Sequence, residues 1–223
     1  MHGGDAGGRR GELRMAEDWL DRWSNGRTGW HEAGGNAGLR AHWQFDAKRV
    51  LVPLCGKTPD LAWLARRGHE VTGVELSDIA ARDFFVEQGL GVTRGKDRQL
   101  DAWYCEELPL TIVVGDYFEF EGGPFDALYD RGALVAVDPD RRAAYARHTR
   151  SLLTDDARLL VITLEYDQQV VTGPPFSVMP TALRECYGNL ERVGDKDDLE
   201  NCPPKFRDAG LTRISEVVWR SSG

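Results

Sequence analysis

Gly56 and Glu75 set the first chemical constraint. Gly56 follows the apolar run Val50-Leu51-Val52 and Pro53, and Glu75 stands 19 residues later at the end of a second apolar segment. In doubly wound folds a glycine turn lets a ligand approach the backbone, and an acidic residue about 20 positions on accepts ribose hydroxyls. The turn lacks the GxGxxG pattern that brings backbone against a pyrophosphate. A nucleoside without a pyrophosphate therefore fits, and S-adenosylmethionine is one, with a free ribose diol and a methionine sulfonium. The plainer alternative is a Rossmann-like turn whose glutamate is merely solvated.

Other groups have chemical reach. Asp116 and Tyr117 follow the apolar segment Leu110 to Val114, where an aspartate either accepts from the adenine amine or caps a loop. Asp130 and Arg131 close the segment beginning at Phe125, where they form either a site or a structural salt bridge. An arginine there can stabilise an anion but cannot act as a base near neutrality. Trp19 and Trp23 are four apart and share a helix face, which packs a core more often than it lines a ligand site. His31, His42, His69 and His148 lack metal-ligand spacing and read as packing or surface residues, so no metal is expected. Cys55 beside the turn reads as a small buried residue.

These groups need a scaffold, and the chain supplies its signals in order. Val50 to Val52 is a short all-apolar strand of the doubly covered parallel kind. Thr58-Pro59-Asp60 carries an N-cap, proline and acidic first turn for a helix that Gly68 ends. Glu70 to Val74 is the next strand, and Ser77-Asp78 caps a helix ending at Gly89. Gly91 to Glu107 reads as a hairpin or loop insertion around Trp103 and Tyr104. Strands follow at Leu110 to Val114, Phe125 to Tyr129 and Arg158 to Leu164, with a helix from Asp138-Pro139 to Leu153 between the last two. Leu190 to Val193 and Arg213 to Trp219 make a final strand pair around a helix near Pro204 to Ala209. Upstream, an amphipathic helix from Met15 and a second helix around Asn36 to Phe45 form a cap. Residues 1–14 are glycine-rich and aperiodic, a disordered tail or an over-extended start with Met15 as the alternative beginning.

Composition narrows the class. With 223 residues and 41% hydrophobic content, a single α/β domain over 15–223 is expected. A net charge of −8 disfavours a nucleic-acid partner. Four cysteines without CxxC spacing suggest neither zinc nor a disulfide framework, and point to reduced thiols in a cytoplasm. No apolar run reaches the roughly 18 residues of a membrane span. A monomer with a small-molecule partner is the expectation.

Five separated motifs then carry a family resemblance: Pro53-Leu54-Cys55-Gly56-Lys57, Arg67-Gly68-His69, Val74-Glu75, Asp130-Arg131-Gly132-Ala133-Leu134-Val135 and Gly173-Pro174-Pro175-Phe176. With Trp19 to Trp23, Asn25-Gly26, Thr28 and His31 upstream, they resemble the thiopurine S-methyltransferase family from about Trp19 to Trp219. The resemblance implies a Rossmann-like, seven-stranded class I methyltransferase sheet with a final antiparallel hairpin and an N-terminal helical cap. It implies cofactor binding by Trp19, Trp23, Leu54, Gly56, Glu75, Asp116, Tyr117 and Arg131. It places Trp30, Pro174, Phe176 and Lys205 beside the acceptor, with Trp30 replacing the family's usual phenylalanine. The activity it implies is S-methylation of aromatic or heterocyclic thiols with S-adenosylmethionine and no metal. Arg131 would orient the acceptor or stabilise its thiolate. Halide, selenium or tellurium species are alternative acceptors, and a catalytically silent cofactor-binding protein is the rival from another class.

Overall fold

In the computed structural model, which describes residues 17–27 and 31–222, one mixed sheet runs through the chain. Helix α1 (17–24) and α2 (Ala37–His42) precede it. The strands are β1 (Arg49–Pro53), β2 (Glu70–Glu75), β3 (Val92–Asp97), β4 (Leu100–Cys105), β5 (Leu110–Val114), β6 (Phe125–Arg131), β7 (Leu153–Glu165), β8 (Glu191–Asp197) and β9 (Ser215–Arg220). Helices α3 (Asp60–Arg66), α4 (Asp78–Gln88), α5 (Arg142–Ser151), α6 (Pro180–Tyr187) and α7 (Lys205–Asp208) cover it. The spatial order is β3-β4-β5-β2-β1-β6-β7-β9-β8, with β5, β2, β1, β6 and β7 parallel and the outer strands antiparallel.

The sheet has nine strands, not the expected seven. The 91–107 segment is a hairpin that docks on the free edge of β5 rather than looping away. Its Trp103 stacks on Phe85 of α4 with centroids 5.9 Å apart, and the Arg94 guanidinium covers the same indole at 3.7 Å. That contact gives the hairpin an apolar inner face. The remaining seven strands end in the antiparallel pair that the resemblance implies.

Alternation along β1 explains the two-sided core. Val50 and Val52 enter one buried cluster with Leu39, Phe84 and Tyr129, while Leu51 enters the other with Val74, Leu128 and Tyr145. Successive strand side chains point to opposite faces, so one apolar run fills both layers.

Several boundaries differ from expectation. The start of α3 does not: Pro59 already has helical angles, and Thr58 Oγ1 accepts from the Asp60 amide at 3.4 Å, as the Thr58-Pro59-Asp60 signal anticipates. Helix α2 stops at His42 rather than Phe45, because Trp43 turns extended and its indole donates to His69 Nε2 at 2.9 Å. The Ala47 carbonyl engages His69 Nδ1 at 2.6 Å, so both ring nitrogens of His69 are occupied in the core. Helix α5 ends at Ser151 and β7 begins at Leu153, with a register shift before Ala127 pairs Arg158. The expected tail over 1–14, the start at Met15 and Trp30 lie outside the described residues.

Candidate active site

The parallel sheet changes winding direction between β1 and β6, and ligands in open α/β sheets bind outside the strand carboxyl ends at such a point. A cavity of about 890 Å³ lies there. The β1 turn reaches it through Leu54 and Gly56, β2 through Glu75 and β6 through Arg131. The volume suits a nucleoside cofactor together with a small acceptor.

Glu75 is buried, and its carboxylate organises the turn. Oε2 accepts from the Gly56 amide and Oε1 from the Ser77 amide, both at 2.8 Å. Burial raises its pKa although three backbone amides oppose the shift. A carboxylate offers about four lone-pair sites. The capacity those amides leave fits acceptance from the vicinal ribose hydroxyls. Gly56 has a left-handed φ of 55°, and a Cβ there would meet the Trp23 indole at 3.2 Å. The backbone angle favours glycine, and a Cβ would also press on Trp23. Trp19 lines the same cavity under the Arg22 guanidinium, 4.9 Å from its ring. The two tryptophans spaced for one helix face thus both reach the cavity mouth.

Strand alternation separates Asp130 from Arg131. Asp130 is fully buried and accepts from the Leu134 amide at 3.0 Å, the Tyr145 hydroxyl at 2.9 Å and the Tyr187 hydroxyl at 3.0 Å. Burial raises its pKa against those bonds. It ties the 132–137 loop to α5 and α6 and does not reach the cavity. Arg131 does reach it, and its Nη2 donates to Glu32 Oε1 at 2.7 Å.

The cavity wall beyond Arg131 is acidic. Glu32, Asp198 and Glu216 converge within 4.8 Å of one another. Lys196 approaches Asp198 at 3.2 Å and Glu216 at 3.0 Å, and the Asn36 amide donates to Glu216 Oε2 at 3.1 Å. Burial, then neighbouring Asp198, raises the Glu216 pKa. Sequence reading missed these three carboxylates because they come from three distant segments joined only by the fold. It also set aside His31, which lines the cavity. Its position between the paired tryptophans and the Gly56 turn in the upstream motif was the available signal.

Not every expected site residue converges. Asp116 is exposed and accepts from the Phe118 amide at 2.9 Å, the loop-capping alternative. Tyr117 is buried away from the cavity lining, its hydroxyl 2.9 Å from Thr149 Oγ1. Pro175 lines the cavity, but Pro174 and Phe176 do not. The Phe176 amide donates to the Val135 carbonyl at 2.6 Å and the Tyr166 hydroxyl to the Pro175 carbonyl at 2.6 Å. The Gly-Pro-Pro-Phe loop is thereby pinned across the cavity with one proline inward. Lys205 instead donates to the Thr172 carbonyl at 2.9 Å, and Arg207 from the same short helix is in the lining. Cys55 is buried, and burial followed by Glu75 raises its thiol pKa, as suits an inert turn residue.

Solved structures share this fold. A Burkholderia thailandensis 1,6-didemethyltoxoflavin-N1-methyltransferase with bound S-adenosylhomocysteine aligns over 100% of this chain and 94% of its own, with TM-score 0.61 and 21% identity. A Synechocystis magnesium protoporphyrin IX methyltransferase with bound S-adenosylmethionine aligns over 93% and 97%, with TM-score 0.59 and 14% identity. The fold is the Rossmann-like one of class I methyltransferases. The thiopurine S-methyltransferase (TPMT) family model matches residues 14–223. A thiopurine S-methyltransferase of Bordetella petrii is 41% identical over 92% of this chain and 97% of the relative. One from Pseudomonas fluorescens is 39% identical over 93% and 98%. The chain belongs to the thiopurine S-methyltransferase family and is an S-adenosylmethionine-dependent methyltransferase.

Proposed function

We propose that this enzyme methylates the sulfur of small aromatic or heterocyclic thiols, with thiopurines as suitable assay acceptors. The observation that carries the reading is the cavity itself. It joins a ribose-competent carboxylate at Glu75 to the guanidinium of Arg131, in a chain whose Bordetella and Pseudomonas relatives are named thiopurine S-methyltransferases. Residues 15–223 act as the catalytic domain. In this reading the enzyme acts as a monomer. Among the described residues no helix is long and apolar enough to cross a membrane, and a cytoplasmic setting accords with the four free cysteines.

When bound, S-adenosylmethionine supplies a methyl group already made electrophilic by its sulfonium. The protein's work is alignment and exclusion of water. Glu75 and Gly56 hold the ribose end, Leu54 and the tryptophans Trp19 and Trp23 close over the cofactor, and Asp116 and Tyr117 stay outside this set. Arg131 faces the acceptor and favours its thiolate, with Glu32 fixing the guanidinium. Pro175 supplies an apolar wall. Trp30, Pro174, Phe176 and Lys205 act, in this reading, by shaping the acceptor entrance.

Halide, selenium and tellurium species are the competing acceptors. Isotope-labelled S-adenosylmethionine offered with a panel of aryl thiols, alkyl thiols, selenols and halides tests the choice. Label in aryl thioethers supports the proposal. Label in methyl halide alone, or tight binding of S-adenosylhomocysteine without any turnover, removes it.

A further inference from the structure

His31 has the surroundings of a proton acceptor. It lines the cavity and is mostly shielded from solvent, with 17% of its side chain exposed. Its Nε2 lies 3.6 Å from Glu87 Oε2 on α4, and Lys57 of the β1–α3 turn fixes that carboxylate through a 2.5 Å contact to Oε1. Glu87 and Lys57 thus flank one side of the ring. From the other side Arg131, at the end of β6, and Glu32, on the histidine's own segment, act on it electrostatically. An imidazole whose Nε2–H faces a carboxylate presents the lone pair of Nδ1 as its acceptor site. Among the groups that act on His31, arginine and lysine are cations at neutral pH and Glu32 is committed to Arg131. None of them matches a thiol as a proton acceptor as an imidazole does.

We propose that His31 is a catalytic base that takes the proton of the acceptor thiol, with Glu87 and Lys57 as its positioning residues. This rests on the thiol-methyltransferase reading and deepens it. The S–H bond breaks and its proton passes to the imidazole. The freed sulfur electron pair forms the new S–CH3 bond as the methyl–sulfonium bond breaks. The electron pair of that broken bond stays on the sulfur of departing S-adenosylhomocysteine, and the imidazolium proton leaves to solvent. Burial first, then Lys57 and Arg131, hold the His31 pKa below its ordinary value against the opposing pull of Glu87 and Glu32. The ring is therefore neutral and ready to accept at pH 7. Arg131 and His31 have separate roles, since the guanidinium makes the thiol more acidic and the imidazole removes the proton.

Two acceptors and one spectroscopic readout test this. An alkyl thiol with a pKa near 8.5, the ordinary cysteine value, needs a base at pH 7, and a heteroaryl thiol already ionised there does not. His31→Asn should lower turnover of the alkyl thiol at pH 7 by up to about 30-fold, the factor by which ionisation of a thiol with pKa near 8.5 falls short there, and the heteroaryl thiol far less. Alkyl-thiol turnover by the variant should then climb with pH toward the wild-type rate, as solvent ionises the substrate. His31→Gln serves as the second variant, and S-adenosylhomocysteine affinity reports whether each site is intact. In histidine NMR of the wild-type complex with S-adenosylhomocysteine, His31 should titrate below 6.5, and its resonance should move on adding the alkyl thiol but not the matching thioether. Equal losses for both acceptors, no loss for either, or a His31 resonance indifferent to the thiol overturns the inference and leaves thiol methylation standing. A wild-type enzyme that methylates no thiol overturns both together.

Discussion

Replacing Glu75 by alanine tests the ribose end of the cavity and separates two roles that share one carboxylate. The side chain accepts from the Gly56 and Ser77 amides at 2.8 Å each. Removing a charged acceptor from two buried donors costs about 1.5–3 kcal/mol per bond. Relief from burying the carboxylate, visible as its raised pKa, offsets part of that, leaving a folding loss of roughly 2–4 kcal/mol. Two charge-assisted bonds to ribose hydroxyls disappear as well, so cofactor affinity should fall by roughly 2–4 kcal/mol, or about 30- to 1,000-fold. Urea unfolding measures the first loss and calorimetric titration with S-adenosylhomocysteine the second, at a temperature where the variant is folded. The pH dependence has a definite sign. The folded pKa lies above the unfolded value, so this group's contribution to stability is greatest below about 4.3 and is lost as pH rises through the raised folded value. Cofactor binding runs the other way, because hydroxyl donors need the ionised form, and affinity should weaken as pH falls through the same window. Unchanged affinity in a folded Glu75→Ala enzyme, or affinity flat across that window, would refute the ribose assignment.

Four further outcomes are expected. Arg131→Met should lower turnover of both acceptor types, with the larger loss for the high-pKa thiol, because the missing cation no longer favours its thiolate; steady-state assays with chemistry shown to be rate-limiting check this. Trp30→Phe should change the ranking of bulky against small thiols while cofactor affinity stays within about 1 kcal/mol, as ratios of kcat/KM will reveal. Asp130→Ala breaks the bonds to Leu134, Tyr145 and Tyr187 and should destabilise the fold by about 2–4 kcal/mol in urea. Tyr129→Phe leaves Asp60 without its 2.8 Å hydroxyl donor and should cost about 1–3 kcal/mol in the same experiment, with little effect on KM.

Local signals made the inner sheet legible. The apolar run at Val50 to Val52 and the Gly56-to-Glu75 spacing report local structure directly, and the observed β1 and β2 follow them. The hairpin at 92–105 was visible as a segment, but its docking on β5 was not, since that depends on Trp103 meeting Phe85 from another element. Arg131 and Glu75 were legible as site candidates because strand ends converge in this topology. Lys205 and Phe176 were harder to place, because loop residues a position or two apart can face the cavity or a neighbouring backbone. Here Pro175 and Arg207 face inward instead. The partnership of Arg131 with Glu32, and of His31 with Glu87, joins residues 99 and 56 positions apart, which no spacing rule detects.

The central claim is that sulfur is the atom methylated. A competition experiment addresses it most directly, with ¹³C-methyl-labelled S-adenosylmethionine and equimolar heteroaryl thiol, selenol and iodide in one vessel, and products resolved by NMR. A dominant S–¹³CH3 resonance, with a kcat/KM for the thiol well above those of the other two, is the expected result. A dominant methyl selenide or methyl iodide signal would contradict the claim.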